Sequence, residues 1–143
     1  MVGVVEIDGQ KYIERAQVFT EVVGIDTAWS TVTRRLVLPG VASFWLKSLM
    51  RQTVAGGASV DRRFLFRLGN TDGGVWYMSG GVGSMTDRVI DTLIFGDGRF
   101  PFVMVPPIYY TPTSNIVMEF QDISGNAPYT IYVALAGSYL IPV

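Results

Sequence analysis

Short apolar runs with a two-residue period recur along the chain, separated by glycine- and proline-rich breaks. That period sends alternate side chains to opposite faces of an extended strand. The first run is Val2-Gly-Val-Val-Glu-Ile7, followed by Asp8-Gly9 and then Lys11-Tyr12-Ile13. Asp-Gly between two β-prone runs predicts a hairpin, because both central positions of a type I′ turn need positive φ. Residues 17–25 and 31–38 are further β-prone stretches, the second halted by Pro39-Gly40. Residues 41–52 fit two patterns. Val41, Phe44, Trp45, Ser48 and Leu49 form a helical stripe, while Ala42, Phe44, Leu46, Ser48 and Met50 form one strand face. The β-rich surroundings and the lack of an acidic first turn favour the strand.

The second half repeats the pattern. Residues 62–68 alternate, with Phe64, Phe66 and Leu68 on one face and Arg63, Leu65 and Arg67 on the other. A turn cluster over 69–74, a short strand over 75–78 and a glycine loop over 79–84 follow. Residues 89–95 read as a strand, as do 100–105, which end at Pro106-Pro107. Residues 116–123 alternate, with Ile116, Met118 and Phe120 on one side. The turn at 124–128 leads into a long strand over 129–136, and Tyr139-Leu-Ile141 closes the chain. About eight strands at close spacing, joined by Gly/Pro-rich turns, predict an antiparallel β-sandwich or barrel. The length of 143 residues fits one domain with a sizeable core, and no linker or internal repeat divides it. Residues 1–30 read as an N-terminal arm or an edge hairpin of that domain.

Composition narrows the chemistry. The chain has no histidine and no cysteine, the side chains most used for acid–base catalysis, thiol chemistry and transition-metal binding. Net charge is −1, which gives no electrostatic footprint for nucleic acid or an anionic membrane. The N-terminus lacks the basic start of a signal peptide, and no apolar run is long enough to span a bilayer. The expectation is a protein made in a cytoplasm. Mean hydropathy is +0.34, and of eleven basic residues only Lys11 and Lys47 are lysine. Arginine with abundant apolar surface is the composition of protein–protein interfaces, and the codon use of a GC-rich genome is the other source of an arginine bias.

Candidate chemistry is sparse. The glycines of 80–84 and the Gly96-Asp-Gly98 pair lack the lysine of a phosphate-binding loop and read as sheet connections. Asp87, Asp91 and Asp97 are the carboxylates a histidine-free hydrolase or a calcium site would use, but no Asp-x-Asp-x-Asp ladder exists. Arg63, Phe64, Phe66 and Arg67 mix the residue types of an RNA-binding sheet. Their alternation puts Phe and Arg on opposite faces, so core Phe with outward Arg is the expectation. Trp76, Tyr77, Tyr109 and Tyr110 could line a sugar-binding face, although adjacent residues in a strand offer at most one outward ring per pair.

The segment Phe102-Val-Met-Val-Pro-Pro-Ile-Tyr-Tyr-Thr-Pro-Thr-Ser-Asn-Ile-Val-Met-Glu-Phe-Gln-Asp122, with Tyr129-Thr-Ile-Tyr-Val-Ala-Leu-Ala-Gly137, resembles small jelly-roll structural proteins of tailed-phage virions. Arg63-Phe-Leu-Phe-Arg-Leu68 fits an earlier strand of the same sandwich. The resemblance implies an all-β, jelly-roll-like antiparallel sandwich. It also implies a non-enzymatic virion role as a capsid decoration or cement protein, with neck, collar or tail association as the variant. The implied partners are the major capsid protein or other virion subunits, with homo-oligomers, no cofactor and no metal. Candidate interface residues are Val2, Val4, Arg34, Arg35, Arg63, Arg67, Trp76 and Tyr109. The alternative function is a carbohydrate-binding module on the same fold.

Overall fold

Asp8 and Gly9 both take positive φ, 51° and 80°, so the chain reverses between β1 (Val2–Ile7) and β2 (Gln10–Ile25) as the Asp-Gly signal predicts. The computed structural model describes residues 2–40, 42–70, 75–78, 89–91, 95–96 and 102–143, with residues 2, 75–78 and 89–90 described by backbone. The remaining strands are β3 (Thr31–Val37), β4 (Ser43–Ala55), β5 (Ala58–Ser59), β6 (Phe64–Asn70), β7 (Val75–Met78), β8 (Val89–Ile90), β9 (Phe102–Tyr110), β10 (Asn115–Asp122) and β11 (Tyr129–Pro142).

The strands form two antiparallel sheets. One has the order β1-β2-β11-β4-β5, with β9 also on β4; the other has the order β3-β10-β6-β7, with β8 also on β6. The pairing is nested: β2 with β11, β3 with β10, β4 with β9, and β6 with β7. A long hairpin rolled so that successive pairs fall in alternate sheets has this wiring. The fold is therefore a jelly-roll-like β-sandwich. The segment over 41–52 is strand, not helix.

Alternation decides what lies between the sheets. Phe64, Phe66 and Leu68 of β6 and Ile116, Met118 and Phe120 of β10 are fully buried. They face Phe44, Leu46 and Leu49 of β4 and Ile131, Val133 and Leu135 of β11. Phe64 and Phe66 each pack edge-on or tilted against both Phe95 and Phe120, arrangements that suit the ring quadrupole. Tyr110 is buried and its hydroxyl donates to the Gly69 carbonyl at 3.1 Å.

Several segments differ from the sequence reading. The β-prone stretches on either side of residue 15 fuse into one sixteen-residue strand, β2, because its first half pairs with both β1 and β11. The strand expected over 89–95 stops at Ile90. There the Asp91 carboxylate meets Arg51 at 2.7 Å, and the Asp91 carbonyl accepts from the Phe95 N–H at 3.0 Å. Lastly, β9 continues through Pro106-Pro107. Prolines cannot donate to a ladder, and the register skips them, moving from Ser48↔Val103 to Leu46↔Ile108.

Candidate functional site

The outer face of the six-stranded sheet carries almost no charge. Residues opposite one another on neighbouring strands point the same way, so the register defines rows across this face. Val18, Ala136, Ser48 and Val103 form one row; Thr20, Ala134 and Met50 the next; Val22, Tyr132 and Gln52 a third. Val18, Val22 and Val103 are 54, 55 and 60 % exposed. β-Branched residues suit an extended backbone, but valines need no outward position to form it. Two grooves score this face. The larger, about 460 Å³, is lined by Gly3, Glu14, Lys47, Ser48, Ala136 and Ser138; the smaller, about 230 Å³, is lined by Thr20, Met50, Gln52, Tyr132 and Ala134 together with the charged residues Glu21 and Arg51.

At one end of the face two charges are paired with each other. Lys47 sits at the irregularity where β4 meets β9. Its ammonium donates to Glu14 Oε1 at 2.5 Å and lies 5.5 Å from the centre of the Trp45 ring. The Ser138 hydroxyl also donates to Glu14 Oε1, at 3.0 Å. The Lys47 hydrogen bond leads in holding the Glu14 carboxyl below its ordinary value, against the opposing cost of burial.

The expected interface residues scatter. Val4 is exposed on β1, and Tyr109 of β9 stands opposite Trp45 on the face just described. Val2 lies on β1 opposite Arg15. Arg34 and Arg35 are neighbours on edge strand β3 and so point to opposite sides of the other sheet. Arg67 is on the outside of that sheet, 3.1 Å from Glu119 of β10. Arg63, just before β6, pairs with Asp61. Trp76 lies on β7 opposite Gly69, with its side chain outside the described residues. Residues 79–88 and 97–101, which include Asp87, Asp97 and the Gly80–84 loop, also lie outside them. The structure brings Val4 and Tyr109 to one sheet and the arginines to the other or its margin, so the eight form no single patch.

The aromatic and carboxylate candidates resolve in part. Tyr110 is core. Asp91 is fully buried. Its Oδ2 pairs with Arg51, and its Oδ1 accepts from the Phe64 N–H at 3.4 Å. Burial pushes its carboxyl above the ordinary value, while Arg51 pulls it down. Asp91 thus ties β4 to the start of β6. Among the described residues no group of three or more Asp and Glu could hold a metal ion.

The most organised carboxylate is one the sequence reading passed over. Asp122, at the end of β10, is fully buried. It accepts five hydrogen bonds: from the Trp29, Ser124 and Gly125 N–H groups and from the Ser124 and Tyr129 hydroxyls, at 2.7–3.1 Å. Burial opposes its ionisation, but these donors outweigh that cost and hold the carboxyl at about 2. The same contact raises the Tyr129 hydroxyl, for which burial is the largest cause. Asp122 thereby clamps the 26–30 loop to the 123–128 loop at one end of the sandwich. Its own N–H donates to the Ser30 carbonyl at 2.9 Å. Neither loop carried a motif; only the local Asp122-x-Ser124 spacing, suited to an Asx turn, was available as a signal.

No family model, curated protein or solved structure matches the chain. Among the described residues no helix is long and apolar enough to cross a membrane.

Proposed function

We propose that this protein is a non-catalytic structural subunit that works by assembly, pairing with a second copy through the outer face of its six-stranded sheet. As part of a phage particle, such a pair would bridge neighbouring shell subunits as a decoration or cement protein does. The observation that carries the reading is the charge-free set of rows running from Val18 to Val103 and from Val22 to Gln52.

A two-fold interface sets each patch against its own copy. Like charges near the axis would face each other, so a neutral, apolar face is the kind that self-pairing tolerates. Four strands ~4.8 Å apart, over the five residues from 18 to 22 at ~3.3 Å each, give the neutral rows a footprint on the order of 300 Å² per partner. That is about half the lower bound for a stable interface, so the contact has to extend onto the flanking residues of the same face. The jelly-roll wiring is compatible with a virion role, since viral capsid domains use it, but lectin domains use it too. The resemblance of the C-terminal half to virion proteins supports the first.

Peptides of this chain should therefore be recovered from gradient-purified particles at a fixed ratio to the major shell protein. Val22→Lys, a charge placed in the third row of the neutral face, should reduce that incorporation at least tenfold. Wild-type incorporation of the lysine variant would reject this face as the assembly surface.

A further inference from the structure

We propose that the loop end opposite the chain's hairpin turn is a binding site for a neutral sugar, with the Trp29 indole as its stacking platform. Trp29 has φ 66°, a left-handed backbone that is unfavourable for a bulky residue. The residue is nevertheless 62 % exposed, so little burial compensates. A glycine or asparagine at position 29 would make the same turn with less strain. The conformation is held from below: Asp122 Oδ2 accepts from the Trp29 N–H at 3.0 Å. Ser30 closes the loop through its N–H and hydroxyl, both donated to the Thr27 carbonyl.

The ring is also held from the side. A side chain at Gly125 would place its Cβ 2.8 Å from Trp29 Cζ2. The indole therefore rests against the bare backbone of the 123–128 loop and keeps the rest of its surface open. A rigid aromatic surface offered at a conformational cost is pre-organised for a ligand.

The chemistry around it selects the ligand class. The two loops supply Asp26, Thr27, Ser30, Ser124 and Asn126, and no lysine or arginine occurs from residue 16 to 33 or from 100 to 143. The arginine brought nearest by backbone pairing is Arg63, whose carbonyl accepts from the Ile123 N–H and whose guanidinium pairs with Asp61. A phosphate, sulfate or acidic glycan would find no free cation among these loops. A neutral pyranose would find an aromatic face for its C–H side, and the Asp26 carboxylate, Asn126 amide and Thr27 hydroxyl of the same loops for its own hydroxyls, the Ser30 and Ser124 hydroxyls being already donated within the loops. Asp26 itself lines a groove of about 320 Å³ together with Gly24, Val54, Gly56, Gly57 and Pro128.

The test is saturation-transfer NMR with the methyl glycosides of glucose, galactose, mannose and N-acetylglucosamine at millimolar concentration. At least one should show transfer to the C–H groups of one pyranose face. Trp29→Asn suits the left-handed backbone and so keeps the turn; it should abolish that transfer. Asp26→Asn should weaken binding at least fivefold, with melting temperatures held. The proposal is overturned if none of the four sugars gives transfer, or if transfer survives Trp29→Asn. It is equally overturned if Trp29→Asn, with no sugar bound by wild type, lowers self-association; the ring would then be a protein contact.

Discussion

At the scale of single residues the fold turns on Asp122. Its folded carboxyl is held at about 2, below the 3.8 of an unperturbed aspartate. Unfolded chains therefore take up a proton, as pH falls, before folded ones do. The stability this group contributes is complete above about pH 4 and is lost as pH falls toward 2, an effect on the order of 2 kcal/mol. Asp122→Ala would leave the Trp29, Ser124 and Gly125 N–H groups and the Tyr129 hydroxyl without their acceptor. It should lower unfolding free energy by about 3 kcal/mol or more at pH 7. In urea titrations the gap between wild type and variant should shrink between pH 4 and 2; a constant gap would show that the carboxylate's charge is not what matters. Little of this was legible from the chain. Asp122 reads as the polar end of an alternating run, and its donor at Trp29 is 93 residues away. Asp91, by contrast, was visible as a carboxylate near other carboxylates. Its role depends on Arg51, which only the packing of β4 places against it.

At the scale of strands, the inside and outside of β6 and β10 followed from alternation alone, since period two needs no knowledge of the partner. Strand ends and irregularities did not follow, because they depend on the neighbour. β11 was expected as a long strand and a separate closing segment; it is one strand whose register to β4 shifts between Ala136 and Gly137. The shift presses Gly137 onto β4. A Cβ there would lie 1.8 Å from the Trp45 carbonyl oxygen and 2.9 Å from Phe44 Cζ. Gly137→Ala must therefore move backbone, and should cost at least about 3 kcal/mol. Thermal unfolding reads this directly: a melting temperature within about 2 °C of wild type would mean that the two strands are not in this register. Gly3, with no atom within 4 Å of an added Cβ, is the matched control, and Gly3→Ala should leave the melting temperature unchanged.

At the scale of the whole molecule, the strand count and turn spacing predicted a sandwich, and the two sheets form one. The wiring that makes it jelly-roll-like is a property of which strands pair across the chain, and rested on resemblance until the pairs were seen. The interface candidates were chosen by residue type, and type does not report position. Arg67 proved to be paired with Glu119, while Val18, Val22 and Ala134, ordinary strand residues in sequence, proved to be aligned on one neutral face. The claim that this face joins two copies is tested most directly by molar mass from light scattering over a concentration series. Wild type, Val22→Lys and Val37→Lys would be compared, the last charging an exposed valine on the edge strand of the other sheet. Wild type and Val37→Lys should rise to twice the chain mass of 15.7 kDa, while Val22→Lys should stay at the monomer mass at every concentration. A wild-type protein that stays monomeric throughout, or a Val22→Lys variant that dimerises as wild type does, would contradict it.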